Sequence, residues 1–366
     1  MRPPPYLTAG LPGTGGRIKL DPLDFEVVEL PAYEPCGEGP HVFLTVARVG
    51  RTTREVACDL ARLFAVPERE VGVAGLKDKR ARTVQRFSLP IERGGADEVR
   101  ARVEGELGLE VLAAARHGNK LRRGHLAGNR FRVAIRGTAD EPGAPRALDL
   151  ARAVAAELDR RGLANFFGPQ RFGAGGDNAR RGRALLEARD ARRGRSWFGR
   201  LALSAWQAEL YNRWLAERVA RGDFERLVEG DVAKKLDTGG MFVVADAATE
   251  APRLAARAIT YTGPIYGARM RAAAGAAGEV ERALFEAEGV APEALRALRL
   301  DGSRRAGRVF AAELSVEPIE GGIELCFALP KGSYATVLLR EVTKDDAPDA
   351  ADDGAGASEA DDGEDG

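Results

Sequence analysis

The chain has 366 residues, of which 44% are hydrophobic and 30% charged, the profile of a globular protein too long for one small core. No apolar run reaches the ~20 residues that a membrane crossing needs, and the opening MRPPPYLTAGLPGTGG lacks a secretory layout, so a cytoplasmic protein is expected. Three scattered cysteines with no C-x-x-C pair, and three histidines with no ligand spacing, argue against a disulfide framework and against a metal centre.

A formal net charge of zero conceals an asymmetry. Residues 345–366 hold ten acids and no Lys or Arg, which leaves 55 basic residues against 45 acidic ones in the body. That tail has no large apolar residue and is expected to be disordered, serving solubility or, alternatively, mimicking RNA toward the basic body.

In chain order, RIKLDPLDFEVVE at residues 17–29 reads as two short strands around a proline turn, with Phe25, Val27 and Val28 apolar. HVFLTVARV at residues 41–49 is an alternating strand ended by Gly50. Thr52 or Thr53 then caps a helix with Val56, Leu60, Leu63 and Phe64 at helical spacing, stopped before Pro67. EVGVAGLKD follows as a strand and turn, so Asp78 stands between Lys77 and Lys79 where a strand gives way. Taken alone, it is either a turn acid or a working side chain.

GNRFRVAIRG at residues 128–137 is a further strand, and ALDLARAVAAELDRRG a helix closed by Gly162. The middle, to about Arg308, shifts toward Ala/Arg-rich helices such as LSAWQAELYNRWLAERVARG, after which strand patterns return from residue 313 around the turn Glu320-Gly321-Gly322. A sheet divided by a helix-rich middle points to an insertion within a discontinuous domain.

Two glycine-rich stretches fail as nucleotide loops. GLPGTGGRIK has neither the lysine nor the Ser/Thr of a phosphate loop, and GAGGDN lacks the third glycine of a dinucleotide fingerprint. Residues 115–137, by contrast, contain seven Lys/Arg and no acid, either a solvated basic face or an RNA contact, and more basic residues follow at 160–200. NFFGPQRFGAGGDN at residues 165–178 packs three aromatics beside an arginine, which fits a packing plug or a functional loop equally.

RIKLDPLDFEVVELP, GEGPHVFLTVARVGRTT, VAGLKDKRARTVQRFSLP, HGNKLRRGHLAGNRFRV, NFFGPQRFGAGGDN, LSAWQAELYN, GDVAKKLD and LPKGSYATVLLRE, in this order, resemble the TruD family of tRNA pseudouridine synthases. The likeness spans roughly residues 17–343. It implies an α/β (α+β) protein. A pseudouridine synthase catalytic domain with a mixed, mainly antiparallel sheet would occupy residues 1–160 and 309–344, an inserted α/β domain residues 161–308, and the acidic tail residues 345–366. A departure is GPIYG at residues 263–267, where a Gly-Pro turn is expected and Tyr266 is unusual.

The resemblance further implies isomerisation of uridine 13 in the D-arm of tRNA, notably the glutamate tRNA, without organic cofactor or metal. Asp78 matches the catalytic aspartate, whose carboxylate breaks the C1′–N1 bond by attack on sugar or ring or by proton abstraction. Lys77, Lys79 and Arg80 would supply positive potential without a direct salt bridge being required. Tyr334 matches the aromatic that stacks on the target base, Phe25 a second stacking position and Asn129 a hydrogen-bonding one. Phe131 and Lys19 are pocket neighbours, with core packing and phosphate contact as their alternatives. The implied partner is tRNA held in a basic cleft, with no membrane and no obligate protein partner, the protein acting as a monomer. The competing reading is a non-catalytic tRNA-binding or folding module; a methyltransferase is disfavoured by the absence of a cofactor glycine loop.

Overall fold

The computed structural model describes residues 3–138, 146–173 and 175–346; all of the expected acidic tail beyond Asp346 lies outside them. The chain divides into two compact units. The first holds Pro12–Ala155, Ala311–Ala335 and the segment from Val342; the second holds the N-terminal residues through Leu11, Ala156–Phe310 and Thr336–Glu341.

The first unit is built on a nine-stranded sheet. In chain order its elements are β1 (Gly15–Arg17), β2 (Phe25–Pro31), β3 (His41–Val49), α1 (Thr53–Leu63), β4 (Gly72–Val73), β5 (Arg82–Pro90), α2 (Ala96–Leu107), β6 (Glu110–His117) and β7 (Leu126–Thr138). The helix α3 (Ala147–Arg161) follows, and the division between the units falls within it.

The second unit adds β8 (Leu163–Ala164), α4 (Asn178–Glu187), α5 (Ala191–Gly194), α6 (Trp197–Ala220), β9 (Val232–Lys235), β10 (Met241–Val243), α7 (Ala247–Ala255), β11 (Ile259–Ile265), α8 (Gly275–Glu286), α9 (Pro292–Ala297), β12 (Ser303–Ala306) and β13 (Arg308–Val309). The chain then returns to the large sheet with β14 (Ala312–Ile319) and β15 (Gly322–Pro330) and ends its described part with α10 (Ala335–Thr343).

The strand order of the large sheet is β14-β15-β7-β2-β5-β3-β6, with β1 paired to β7 and β4 to β5. Every pair is antiparallel except β2 and β5, so the sheet is mixed. The helix α1 begins where Thr52 closes a capping box with Glu55, a device contributing about 1 kcal/mol. It buries Val56 and Leu60, and α2 buries Val99 and Val103, against Val42, Leu44, Val46, Phe87 and Leu89 of the sheet. This apolar layer fixes the strands from which the polar site is built.

In the second unit, α6 is the central element, burying Trp206, Tyr211, Trp214 and Leu215. A four-stranded sheet, in the order β10-β9-β11-β12, accompanies it in a stretch whose composition reads as helical; its strands are only three to seven residues long, too short for a periodic signal. The stretch expected to form a Gly-Pro turn at residues 263–267 is instead mostly strand. Gly263 and Pro264 pair with Arg305 and Arg304, and a Cβ on Gly263 would stand 2.3 Å from the Trp214 ring. Beyond Thr262, β11 has a ladder neighbour on one side only, which admits a proline. Tyr266 is buried and donates its hydroxyl to Glu281 O (2.7 Å).

NFFGPQRFG belongs to the packing of this unit. Phe166 and Phe172 are buried, Phe167 N–H donates to Asn212 Oδ1 (2.8 Å), and the Phe167 ring meets Tyr211 edge-on at 5.4 Å. At the other end of the chain, residues 335–343 continue the strand-like run of the sequence as a helix. Ala335, Leu338, Leu339 and Val342 recur at helical spacing, and all are buried.

Candidate active site

The site is assembled around the turn after β4. Within EVGVAGLKD, expected as a strand and turn, the strand stops at Val73, because from Ala74 onward the backbone finds partners outside the ladder. Ala74 O accepts from Gly124 N–H (2.8 Å) and Gly75 O from Gln85 Nε2 (2.6 Å), while Lys77 N–H donates to Thr53 Oγ1 (2.9 Å). Thr53 in turn donates to Gln85 Oε1 (2.9 Å) and accepts from Arg48 Nη2 (3.0 Å). Thr53, Gln85 and Arg48 are all buried, so a polar network in which only Arg48 Nη1 lacks a partner among the described residues holds the loop that carries Asp78.

The lysines on either side of Asp78 turn away from it. Lys77 Nζ lies 2.9 Å from Glu29 Oε2, with only 5% and 3% of the two side chains exposed. Lys79 Nζ reaches Glu55 Oε1 at the surface (3.2 Å). The cation on Asp78 comes from 59 residues upstream: Lys19 Nζ is 2.6 Å from Asp78 Oδ2, the Lys19 side chain being 9% exposed and that of Asp78 43%. Lys19 takes a left-handed backbone conformation (φ 57°) just before the Pro22–Asp24 turn, and its ammonium stands over the Phe25 ring, 4.6 Å from the centroid. Arg80 closes the other side, donating its N–H to Asp78 Oδ1 (3.0 Å) and Nη2 to Lys19 O (3.3 Å).

These groups set the state of the carboxyl. Burial alone pushes Asp78 up, but the Lys19 charge and hydrogen bond, with the Arg80 N–H and charge, outweigh it and hold the carboxyl below the ordinary aspartate range. The result is an ionised, solvent-accessible carboxylate whose two oxygens are each held by a donor.

Strand register brings Phe25, Asn129 and Phe131 onto one sheet face. Phe25, Val27 and Glu29 of β2 stand opposite Val133, Phe131 and Asn129 of β7, and Phe131 and Asn129 stand opposite Phe327 and Leu329 of β15. The Phe131 ring stacks on Phe327 (5.2 Å, 25°) and meets Phe25 edge-on (6.2 Å). Phe25 thus links the aromatic row to Lys19, and Glu29 links the same face to Lys77. Asn129 Oδ1 is buried and has no hydrogen-bond partner among the described residues. Tyr334 is half-buried in the loop before α10; Lys331 N–H donates to Ala127 O (3.0 Å), so this loop starts at the end of the β7–β15 ladder nearest Asn129.

The basic segment at residues 115–137 differs from its linear reading, since acids distant in sequence neutralise much of it. Arg130 pairs with Glu313, Arg132 with Glu324 and Arg136 with Asp24, while Arg116 is spent on the carbonyls of Gly39, Ile91 and Gly94. Arg122 and Arg123 make no ion pair among the described residues and are exposed. Glu29, Thr53 and Arg48 were not singled out from the sequence as site residues. Gln85 offered the available signal, a polar residue in the middle of the strand TVQRFSL. Among the described residues no group of three His, Cys, Asp or Glu side chains could hold a metal ion, and no helix is long and apolar enough to cross a membrane.

The family model described as tRNA pseudouridine synthase D (TruD) matches residues 4–191 and 197–342. A curated tRNA pseudouridine synthase D of Anaeromyxobacter dehalogenans is 49% identical over 353 residues, covering 94% of this chain and 97% of the relative. That of Thermus thermophilus is 46% identical over 349 residues, covering 94% and 93%. A Methanosarcina mazei chain, solved as a candidate tRNA pseudouridine synthase D, superposes with a TM-score of 0.74 at 24% identity, over 93% of this chain and 96% of its own. At that identity the superposition speaks for the fold alone.

Proposed function

The chain belongs to the tRNA pseudouridine synthase D family, and from that premise we propose that it isomerises uridine 13 in the D-arm of tRNA to pseudouridine with Asp78 as the catalytic carboxylate. The observation that carries the proposal is the Lys19–Asp78 pair: a carboxylate kept ionised by a buried lysine yet 43% exposed to a substrate. A nucleophile or base must be deprotonated near neutral pH, and this pairing supplies that condition.

In this reading the sheet unit is the catalytic domain and the unit centred on α6 the family-specific insertion. The target nucleotide leaves its stack and enters beside Asp78. Tyr334 stacks on the base, Phe25 and Phe131 form the apolar wall, and Asn129 uses its unpartnered Oδ1 to accept a hydrogen bond from a uracil N–H. The N1–C1′ bond breaks with the Asp78 carboxylate as nucleophile or base. The uracil turns, C5 bonds to C1′, and the proton lost from C5 is replaced by one gained at N1, so the isomerisation balances with no external oxidant or reductant. Lys19 positions the carboxylate and holds it charged.

The test is nucleoside chromatography of an unmodified glutamate tRNA transcript incubated with wild type or Asp78→Asn in EDTA. Pseudouridine from wild type alone, mapped to position 13, is the expected result. Bound but unconverted tRNA with wild type would overturn the assignment in favour of a binding module.

A further inference from the structure

The chain's three histidines gather in the sheet unit, away from the Asp78 contacts. His41 and His117 are register partners on β3 and β6, and the Tyr33 ring stacks on His117 (5.2 Å, 27°) and meets His125 edge-on (5.6 Å). Tyr33, His117, Asn119, Lys120, Arg122 and His125 line an open pocket there. Glu34 is the acid on its rim, and its carboxylate is engaged by Arg86 (3.0 Å).

The hydrogen bonds fix the histidine tautomers. Cys36 N–H donates to His117 Nδ1 (3.3 Å), and Arg122 N–H donates to His125 Nδ1 (3.4 Å), which also meets the Tyr33 hydroxyl at 2.8 Å. A backbone N–H can only donate, so both Nδ1 atoms accept and both rings carry their proton on Nε2. Neither Nε2 has a partner among the described residues. Burial, then the charges of Arg122 and Lys331, push His125 below the ordinary histidine value, so it is a neutral donor at pH 7. Lys120 reaches Arg69 O and Glu70 Oε2 (3.4 Å), whereas the Arg122 side chain has no partner among the described residues.

The pocket therefore presents donors: two imidazole N–H groups, an amide, an ammonium and a guanidinium, with its one acid already paired. That chemistry recognises a phosphate. Its loop is tied to both functional loops, since Gly124 N–H donates to Ala74 O (2.8 Å) and Lys331 Nζ to Gly124 O (3.2 Å). Ala74 precedes Asp78 by four residues, a reach of at most about 14 Å.

We propose that this pocket binds a backbone phosphate of the RNA substrate close to the nucleotide being modified, with the Nε2–H groups of His117 and His125 as neutral donors and Arg122 as the charge. The assignment rests on the reading of the protein as a tRNA-modifying enzyme.

Three histidines give three sets of ring resonances, so ¹⁵N NMR of the intact chain can follow each one. An unmodified tRNA transcript is expected to shift the Nε2 signals of His117 and His125 at micromolar protein, with inorganic phosphate alone doing so only at millimolar concentration. His125→Asn keeps an acceptor near the Nδ1 position and loses the donor, so it should weaken tRNA binding about tenfold with the salt dependence unchanged. His125→Gln, which keeps a donor near Nε2, should bind within about threefold of wild type. Arg122→Ala, an exposed position, should weaken binding and reduce the salt slope by ~0.7 to 0.9. If tRNA binds wild type but leaves the ring signals unmoved, and Arg122→Ala retains both affinity and slope, the assignment is overturned. If inorganic phosphate shifts the rings while tRNA does not bind at all, the underlying reading fails and the pocket is a small-anion site.

Discussion

Lys19 Nζ and Asp78 Oδ2 lie 2.6 Å apart, although 59 residues separate them and lysines flank the aspartate directly. The adjacent Lys77 and Lys79 are engaged by Glu29 and Glu55, so the charge that governs Asp78 is not the one beside it in the chain.

A pH dependence follows. With its carboxyl held below the ordinary aspartate range, Asp78 stays ionised through neutral pH, and turnover should decline only as pH falls through that depressed value. The stability contribution has the same sign: the native state binds fewer protons than the unfolded chain, so the contribution is present above the unfolded pKa and is lost as pH falls through the folded one. Lys19→Met removes the opposing charge while burial remains, and should move the acid limb of the kcat profile to higher pH. An unmoved limb would show that Lys19 does not set the carboxyl.

Lys77 and Glu29 form a buried pair whose disruption should be costly. Lys77→Met leaves the Glu29 carboxylate unpaired in a site 3% exposed and should destabilise the sheet unit by about 3–5 kcal/mol. Combined replacement with Glu29→Leu should recover much of that loss. Chemical denaturation of the single and double variants measures this, and additive losses would contradict the coupling.

Asn129 should trade stability against activity. Its buried, unpartnered Oδ1 forfeits hydrogen bonding worth about 1–3 kcal/mol in the free protein. Asn129→Ala should therefore leave the melting temperature nearly unchanged while lowering kcat/KM on tRNA at least tenfold. A large drop in melting temperature with turnover intact would assign the residue to the fold.

Tyr334 is predicted to act through its ring. Tyr334→Phe should remain within a few-fold of wild type, and Tyr334→Ala should lose about five- to 150-fold in kcat/KM, the equivalent of ~1 to 3 kcal/mol of base stacking. Equal losses in both variants would mean that the hydroxyl carries the effect.

Much of the scaffold was legible because its signals are local. The alternation of HVFLTVARV marks β3 residue for residue, Thr52 caps α1, and Glu320-Gly321 separates β14 from β15, which opens at Gly322. Local signals failed where tertiary partners took over. The strand before Asp78 ends early because Gln85 and Thr53 claim its backbone groups, and the apolar run after Gly332 becomes α10 because its helical face is buried. The short strands of the second unit take their identity from pairing, which no window of three or four residues reveals.

The sequence by itself singled out the candidate residues: an aspartate in the turn that follows a strand pattern, and an asparagine and a phenylalanine on alternating positions of another strand. Tertiary structure alone decided how those residues are charged and joined. Register, with its period of two, placed Phe25, Glu29, Asn129 and Phe131 on one face. Ion pairing across the folded chain disposed of the nearby lysines and brought in Lys19. Charge falls off with distance in space, not along the chain, so the partner of Asp78 could be known only once the chain had folded.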